Sequence, residues 1–156
     1  MILYNDDVNF YSDERVSMAT QLFSTDELIN RALKAALYSR TRMPYVDRAT
    51  VMSILEVFSS ESDADAAITL TIIHILRQNS RNEINDAAAN SLVKTLLEIK
   101  NKGGGQKGEL ARKFLGYYRW LFEYLFYSRK RVDLPPRAIE ELTFSDFVEK
   151  YAIGRR

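Results

Sequence analysis

Gly103-Gly104-Gly105-Gln106-Lys107-Gly108 is the stretch whose residue types most directly suggest ligand chemistry, since glycines beside a lysine are the components of a phosphate cradle. A Walker loop needs G-x-x-x-x-G-K-[ST] after a strand. Here the run follows a helical pattern and lacks a hydroxyl after the lysine, so that reading fails. A weaker form of anion binding survives, because free backbone N–H groups at the start of a helix from Lys107 can meet a phosphate without any motif. A flexible connector between two helices accounts for the same residues more simply.

Catalytic chemistry finds little to work with. The chain has no cysteine, which removes disulfides, thiolate zinc sites, iron–sulfur clusters and thiol nucleophiles together. His74 is the single histidine. It lies in the apolar run TIIHIL with no carboxylate three or four residues away to orient it, so a half-buried, satisfied imidazole is expected rather than a general base. Asp63 and Asp65 fall in the first turn of a helix, where the dipole stabilises acids, and Glu140-Glu141 read as a solvated face. The expectation is a non-enzyme with no cofactor and no metal.

Charge is distributed unevenly along the sequence. Residues 1–30 carry six acids against Arg15, a net of −5, whereas residues 100–131 carry nine cations against Glu109 and Glu123, a net of +7. The nine are Lys100, Lys102, Lys107, Arg112, Lys113, Arg119, Arg129, Lys130 and Arg131. Such asymmetry suits a polyanion near the second region, or contact between copies through both regions. These cations are interleaved with aromatic residues, and single-stranded nucleic acid favours that mixture: the cation neutralises phosphate while the ring stacks on a base. The aromatic helix is expected to be covered by its own domain, the alternative being that Tyr117, Tyr118, Trp120, Tyr124 or Tyr127 sits partly outside at a subunit interface. Competing local roles are equally available. Arg119 with Glu123 and Lys113 with Glu109 have the spacing of helical ion pairs, and Arg129-Lys130-Arg131 suits a helix C-terminus.

The elements that must position these residues read as helices throughout. Ser24 with Glu27 forms a capping box, with Phe23 placed to staple onto Leu28, and the helix it opens runs until Pro44 forbids continuation. Asp47 caps a short helix, and Ser59 to Asp63 end it and cap the next. That next helix, DADAAITLTIIHILRQN, is apolar on most sides and is expected at the centre of the core. Ser80 with Glu83 repeats the box spacing before a helix with Leu92, Leu96 and Ile99 facing inward, ended by the glycines. A long helix from about Lys107 to Arg131 follows, with Leu110, Phe114, Tyr117, Leu121, Tyr124 and Leu125 on one apolar stripe and Ala111, Leu115, Tyr118, Phe122 and Phe126 on a second.

The expected fold is therefore all-α, a single-domain helical bundle of about five to seven helices over residues 1–156, with one long helix in its C-terminal half. Residues 1–12 are a possible extended arm, and residues 132–156 an extension of short helices with Ser145 as a possible cap. The acidic start, where a secretory leader would be basic, and the lack of an apolar run near 18 residues give the expectation of a cytoplasmic chain with no membrane partner.

Two segments resemble the small subunit of CRISPR effector complexes, the helical protein carried in several copies along the belly of Cascade-like and type III ribonucleoprotein filaments. NSLVKTLLEIKNKG (90–103) is similar to an N-G-L-x-x-T-L-x-F-L-x-x-K stretch in one branch, with Ser91 where glycine is usual. GELARKFLGYYRWLFEYL (108–125) is similar to helices with R-K-F or a buried tryptophan in related branches. The resemblance covers about a fifth of the chain. It implies a non-catalytic scaffold that packs against its own copies and other subunits, with basic side chains toward guide RNA or a target RNA or DNA backbone. The rival expectation is a helical protein-interaction module without nucleic acid, in which acidic front and basic back pair within the fold or between copies.

Overall fold

The computed structural model describes residues 23–128, 132 and 134–153. The possible arm at residues 1–12 and the cluster Arg129, Lys130 and Arg131 lie outside these. The described chain is an all-α bundle: α1 (Thr25–Thr41), α2 (Arg48–Ser59), α3 (Ala64–Ser80), α4 (Asp86–Lys102), a 3₁₀ turn (Gly104–Gln106), α5 (Lys107–Tyr127), α6 (Pro136–Glu141) and α7 (Phe144–Phe147), which runs into a π-helical turn (Val148–Ala152). No helix among the described residues is long and apolar enough to cross a membrane.

Local capping sets most of the helix starts. Ser24 Oγ accepts the Glu27 N–H at 3.2 Å, Asp47 accepts from Arg48 at 2.8 Å, and Asp63 accepts from Ala66 at 2.9 Å. The expected box at Ser80 and Glu83 is not the start of α4. Ser80 closes α3, and the cap is Asn85, whose Oδ1 accepts from Ala88 at 2.8 Å. The Asn85 amide also donates to the carbonyls of Tyr38, Arg42 and Pro44 at 2.9, 3.1 and 3.2 Å, so one buried side chain starts α4 and holds the segment leaving α1.

The core centres on α1 and α5, the most extensively packed pair. α1 contributes the small buried residues Ala32, Ala35, Ala36 and Ser39, and α5 contributes the large Phe114, Tyr118 and Phe122. Ser39 Oγ donates to the Ala35 carbonyl at 2.7 Å, so the buried Tyr118 hydroxyl, 2.8 Å away, must be its donor. From α4, Leu92, Leu96 and Ile99 complete this centre, as their spacing predicts.

Three expectations about these elements are corrected. α3 is not central: it buries Ala67, Ile68, Thr71 and Ile75 on one side and leaves Leu70, Ile73 and Leu76 exposed. α5 ends at Tyr127, where Ser128 turns extended, rather than at Arg131. In the C-terminal extension the cap of α7 is Thr143, which accepts from Asp146 at 3.2 Å, and not Ser145. That extension is tied to the bundle by buried Leu134, Ile139 and Phe147 and by Asn30, which accepts the Phe144 N–H at 2.8 Å.

Candidate nucleic-acid interface

Six of the nine cations singled out by sequence are among the described residues, and they fall along the end of α4 and the outer face of α5. Lys100 and Lys102 lie in the last turn of α4, followed by buried Gly103 and the 3₁₀ turn. Gly104 has φ of +58°, a conformation glycine adopts without steric cost, and this reverses the chain into α5. Gly108 lies so close to α3 that a Cβ there would stand 3.0 Å from that of Ala64. The glycine segment is thus a closely packed corner. It brings the end of α4, the start of α5 and the first turn of α3 together.

At that corner Lys107 Nζ meets Asp65 Oδ1 at 2.8 Å. The hydrogen bond from Lys107, with the Lys107 and Lys100 charges behind it, holds the Asp65 carboxyl below its usual range. Further along α5, Arg112 and Lys113 share Glu109, the latter at 3.9 Å, and Arg119 bonds Glu123 at 3.1 Å. Arg48 of α2 also reaches Glu123, at 4.0 Å, and lies over the Tyr127 ring at 5.9 Å. No ion-pair partner lies within reach of Lys100 or Lys102 among the described residues. Five cations therefore share three carboxylates while Lys100 and Lys102 pair with none of them, and the face stays electropositive. These pairs are on the surface, where each contributes little to stability and yields readily to a competing anion.

The aromatic residues divide between core and surface. Tyr118 is buried, which pushes its hydroxyl pKa far up. Trp120, Tyr124 and Tyr127 are 67%, 42% and 62% exposed. With half-buried Tyr117 they follow Lys113 at alternating four- and three-residue spacing, which places them on one stripe of α5 about 21 Å long. The Tyr117 and Trp120 rings sit 6.2 Å apart and tilted. Tyr124, assigned by pattern to an inward stripe, stands edge-on to Phe147 at 6.1 Å and is exposed beyond it. Helical spacing alone could have found Trp120, Tyr124 and Tyr127 beside Lys113. Arg48 could not be found that way, because only the fold brings α2 to α5.

The remaining candidates carry no comparable chemistry. His74 is half-buried with Nε2 2.9 Å from Ser53 Oγ, and burial followed by the Arg77 charge lowers its pKa. Glu140 is exposed yet accepts from the Tyr38 hydroxyl at 2.6 Å, and burial together with this bond pushes the Tyr38 pKa up to about 12. No group of three His, Asp or Glu residues is placed to hold a metal among the described residues. A cleft of about 450 Å³ between α1 and α4 is lined by none of the predicted site residues. Its charges largely satisfy one another: Arg31 bonds Glu27 at 2.9 Å and Glu98 at 2.7 Å, and Lys34 lies 3.7 Å from Glu140. No family model, curated protein or solved structure matches this chain.

Proposed function

We propose that this chain is a non-catalytic helical subunit of a nucleoprotein assembly, holding single-stranded nucleic-acid backbone against the outer face of α5 and the adjoining end of α4. The observation that carries this reading is the row of Trp120, Tyr124 and Tyr127 in solvent beside Lys113, Arg112 and Arg119. Exposed rings offer stacking platforms to any base, and the surrounding cations offer phosphate contacts without sequence preference. Lys100, Lys102 and Lys107 extend the cationic surface around the glycine corner, and Arg129, Lys130 and Arg131 belong to the same proposed contact. The resemblance of residues 90–103 and 108–125 supports a finer identification of the assembly as a CRISPR ribonucleoprotein effector complex. In it, copies of the chain would lie along a filament in the cytoplasm and face the guide or target strand.

The reading is tested by fluorescence anisotropy with labelled single-stranded RNA and DNA across a salt series. Binding through phosphates makes log K fall linearly with log salt, because each neutralised phosphate releases counterions. Joint replacement of Lys102, Arg112 and Lys113 by glutamate is expected to weaken binding at least about tenfold and flatten that slope. Absence of binding at low salt, or affinity indifferent to these substitutions, defeats the proposal.

A further inference from the structure

The cleft between α1 and α4 arises from a difference in residue size. α1 faces it with Arg31, Lys34, Tyr38 and Arg42, one turn apart along the helix, while α4 opposes them with the short Ala87, Ser91 and Thr95. Long side chains on one helix and short ones on the other leave a trough of about 450 Å³, which is the size of a small-molecule site. Two contacts fix how its walls align. Arg31 meets Glu98 at 2.7 Å and the Asn85 amide meets the Tyr38 carbonyl at 2.9 Å, so the two helices run antiparallel. One turn inward from the Arg31–Glu98 bridge come Lys34 on α1 and Lys94 on α4, and the next turn brings Tyr38 and Ser91.

The α1 wall is satisfied and the α4 wall is not. Arg31 takes up both Glu27 and Glu98, Lys34 lies 3.7 Å from Glu140, and the Tyr38 hydroxyl donates to Glu140 at 2.6 Å. On α4, Asn90, Ser91, Lys94 and Thr95 make no side-chain hydrogen bond and no ion pair among the described residues. Thr95 stands out because it is only 4% exposed. A threonine hydroxyl buried in a helix ordinarily bonds the carbonyl of the preceding turn, as that of Thr71 does to Ala67 at 2.7 Å. That of Thr95 does not. Among the described residues no fully buried polar side-chain atom lacks a partner, so the Thr95 hydroxyl keeps its remaining exposure toward the cleft that it lines. Four cations line the cleft against three acids, an excess of one positive charge, and Lys94 touches none of the acids.

We infer that this cleft binds a small phosphorylated molecule, with its phosphate between Lys94 and Lys34 over the Ser91 and Thr95 hydroxyls and its organic part toward Ala87, Tyr38 and Pro136. The donors come from two walls and a floor, an arrangement that the tetrahedral oxygens of a phosphate meet and a planar carboxylate does not. The cleft shares no residue with the α5 face, so the inference does not depend on nucleic-acid binding. Adenosine monophosphate, inorganic phosphate, adenosine and citrate serve as probes, each titrated into the isotope-labelled full chain and followed by heteronuclear NMR. Adenosine monophosphate and inorganic phosphate are expected to shift the amide resonances of Ser91, Lys94 and Thr95 saturably, while adenosine leaves them in place and citrate binds at least tenfold more weakly than the nucleotide. Lys94→Glu is expected to lower the affinity for adenosine monophosphate at least about tenfold, and Thr95→Val, which removes the hydroxyl but keeps the shape, to lower it several-fold. Lys94 is exposed and Thr95→Val conserves volume, so both variants keep the core intact, and circular dichroism confirms it. Oligonucleotide affinity is expected to be unchanged in Thr95→Val, which separates a failure here from a failure of the α5 reading. The inference is overturned if millimolar adenosine monophosphate leaves those three amides unmoved, or if citrate binds as tightly as the nucleotide. It is overturned equally if the affinity is indifferent to Lys94→Glu and Thr95→Val.

Discussion

Lys107 Nζ lies 2.8 Å from Asp65 Oδ1, a contact that joins the first residue of α5 to the first turn of α3. It spans the corner that the glycines make possible, and as a surface pair it leaves Lys107 able to exchange Asp65 for a competing anion. The glycines in that corner are not equivalent. A Cβ on Gly103 would meet the Ile99 carbonyl oxygen at 2.5 Å and Lys107 at 3.0 Å, while one on Gly105 would meet nothing within 4 Å.

Gly103→Ala is therefore expected to destabilise the fold by about 2 kcal/mol, the usual range for forcing an atom into occupied space. Gly105→Ala is expected to be neutral or stabilising by a few tenths of a kcal/mol, because it restricts the unfolded chain without a clash. Urea denaturation of the two variants checks this; equal midpoints would show that the corner tolerates a side chain at either position.

Asn85 is the most connected buried polar side chain in the fold, satisfying the Ala88 N–H and the carbonyls of Tyr38, Arg42 and Pro44. Asn85→Ala removes a helix cap and the amide donor of the half-buried Arg42 and Pro44 carbonyls, while the Tyr38 carbonyl keeps the Arg42 N–H, with an expected cost of about 2 kcal/mol. Asn85→Asp keeps the cap but turns a carboxylate toward three carbonyl oxygens, and is expected to cost no less. Thermal denaturation of both variants provides the comparison, and a cost for Asn85→Asp well below that for Asn85→Ala would contradict the donor role.

His74 links stability to pH. Its pKa falls on folding from the usual 6.5, so just below neutrality the unfolded chain binds the proton more readily than the folded one. The corresponding stability is complete above the unfolded value near 6.5 and is lost as pH falls through it toward the folded value. Between about pH 7.5 and about pH 5.5 the native protein should lose stability more steeply than His74→Gln, which cannot titrate there. Parallel urea midpoints for the two proteins would remove His74 from the account.

Much of this architecture is legible locally, and the failures share a cause. Ser24, Asp47 and Asp63 declare their helices because a cap acts within three residues of itself. Ser80 and Glu83 carry the same spacing, yet Asn85 prevails because its amide finds carbonyls more than 40 residues away. The composition of α3 resembles a core helix. Its position at the edge of the bundle depends on which helices pair with it, and single-sequence periodicity holds no record of that. The cations of the candidate site are visible one by one, but the acids that share them divide into two kinds. Glu109 and Glu123 lie on the same helix at readable spacing, whereas Asp65 and the contribution of Arg48 arrive only through tertiary packing.

Trp120 is the only tryptophan in the chain and the most exposed ring of the proposed stacking row, so its emission reports on the central claim without a label. Titration with a single-stranded oligonucleotide at low salt is predicted to quench Trp120 fluorescence saturably, with the quenching reversed by added salt and reduced by Lys113→Glu. Emission unchanged throughout a titration in which the oligonucleotide demonstrably binds, or no binding at all, would contradict the assignment of the α5 face to nucleic acid.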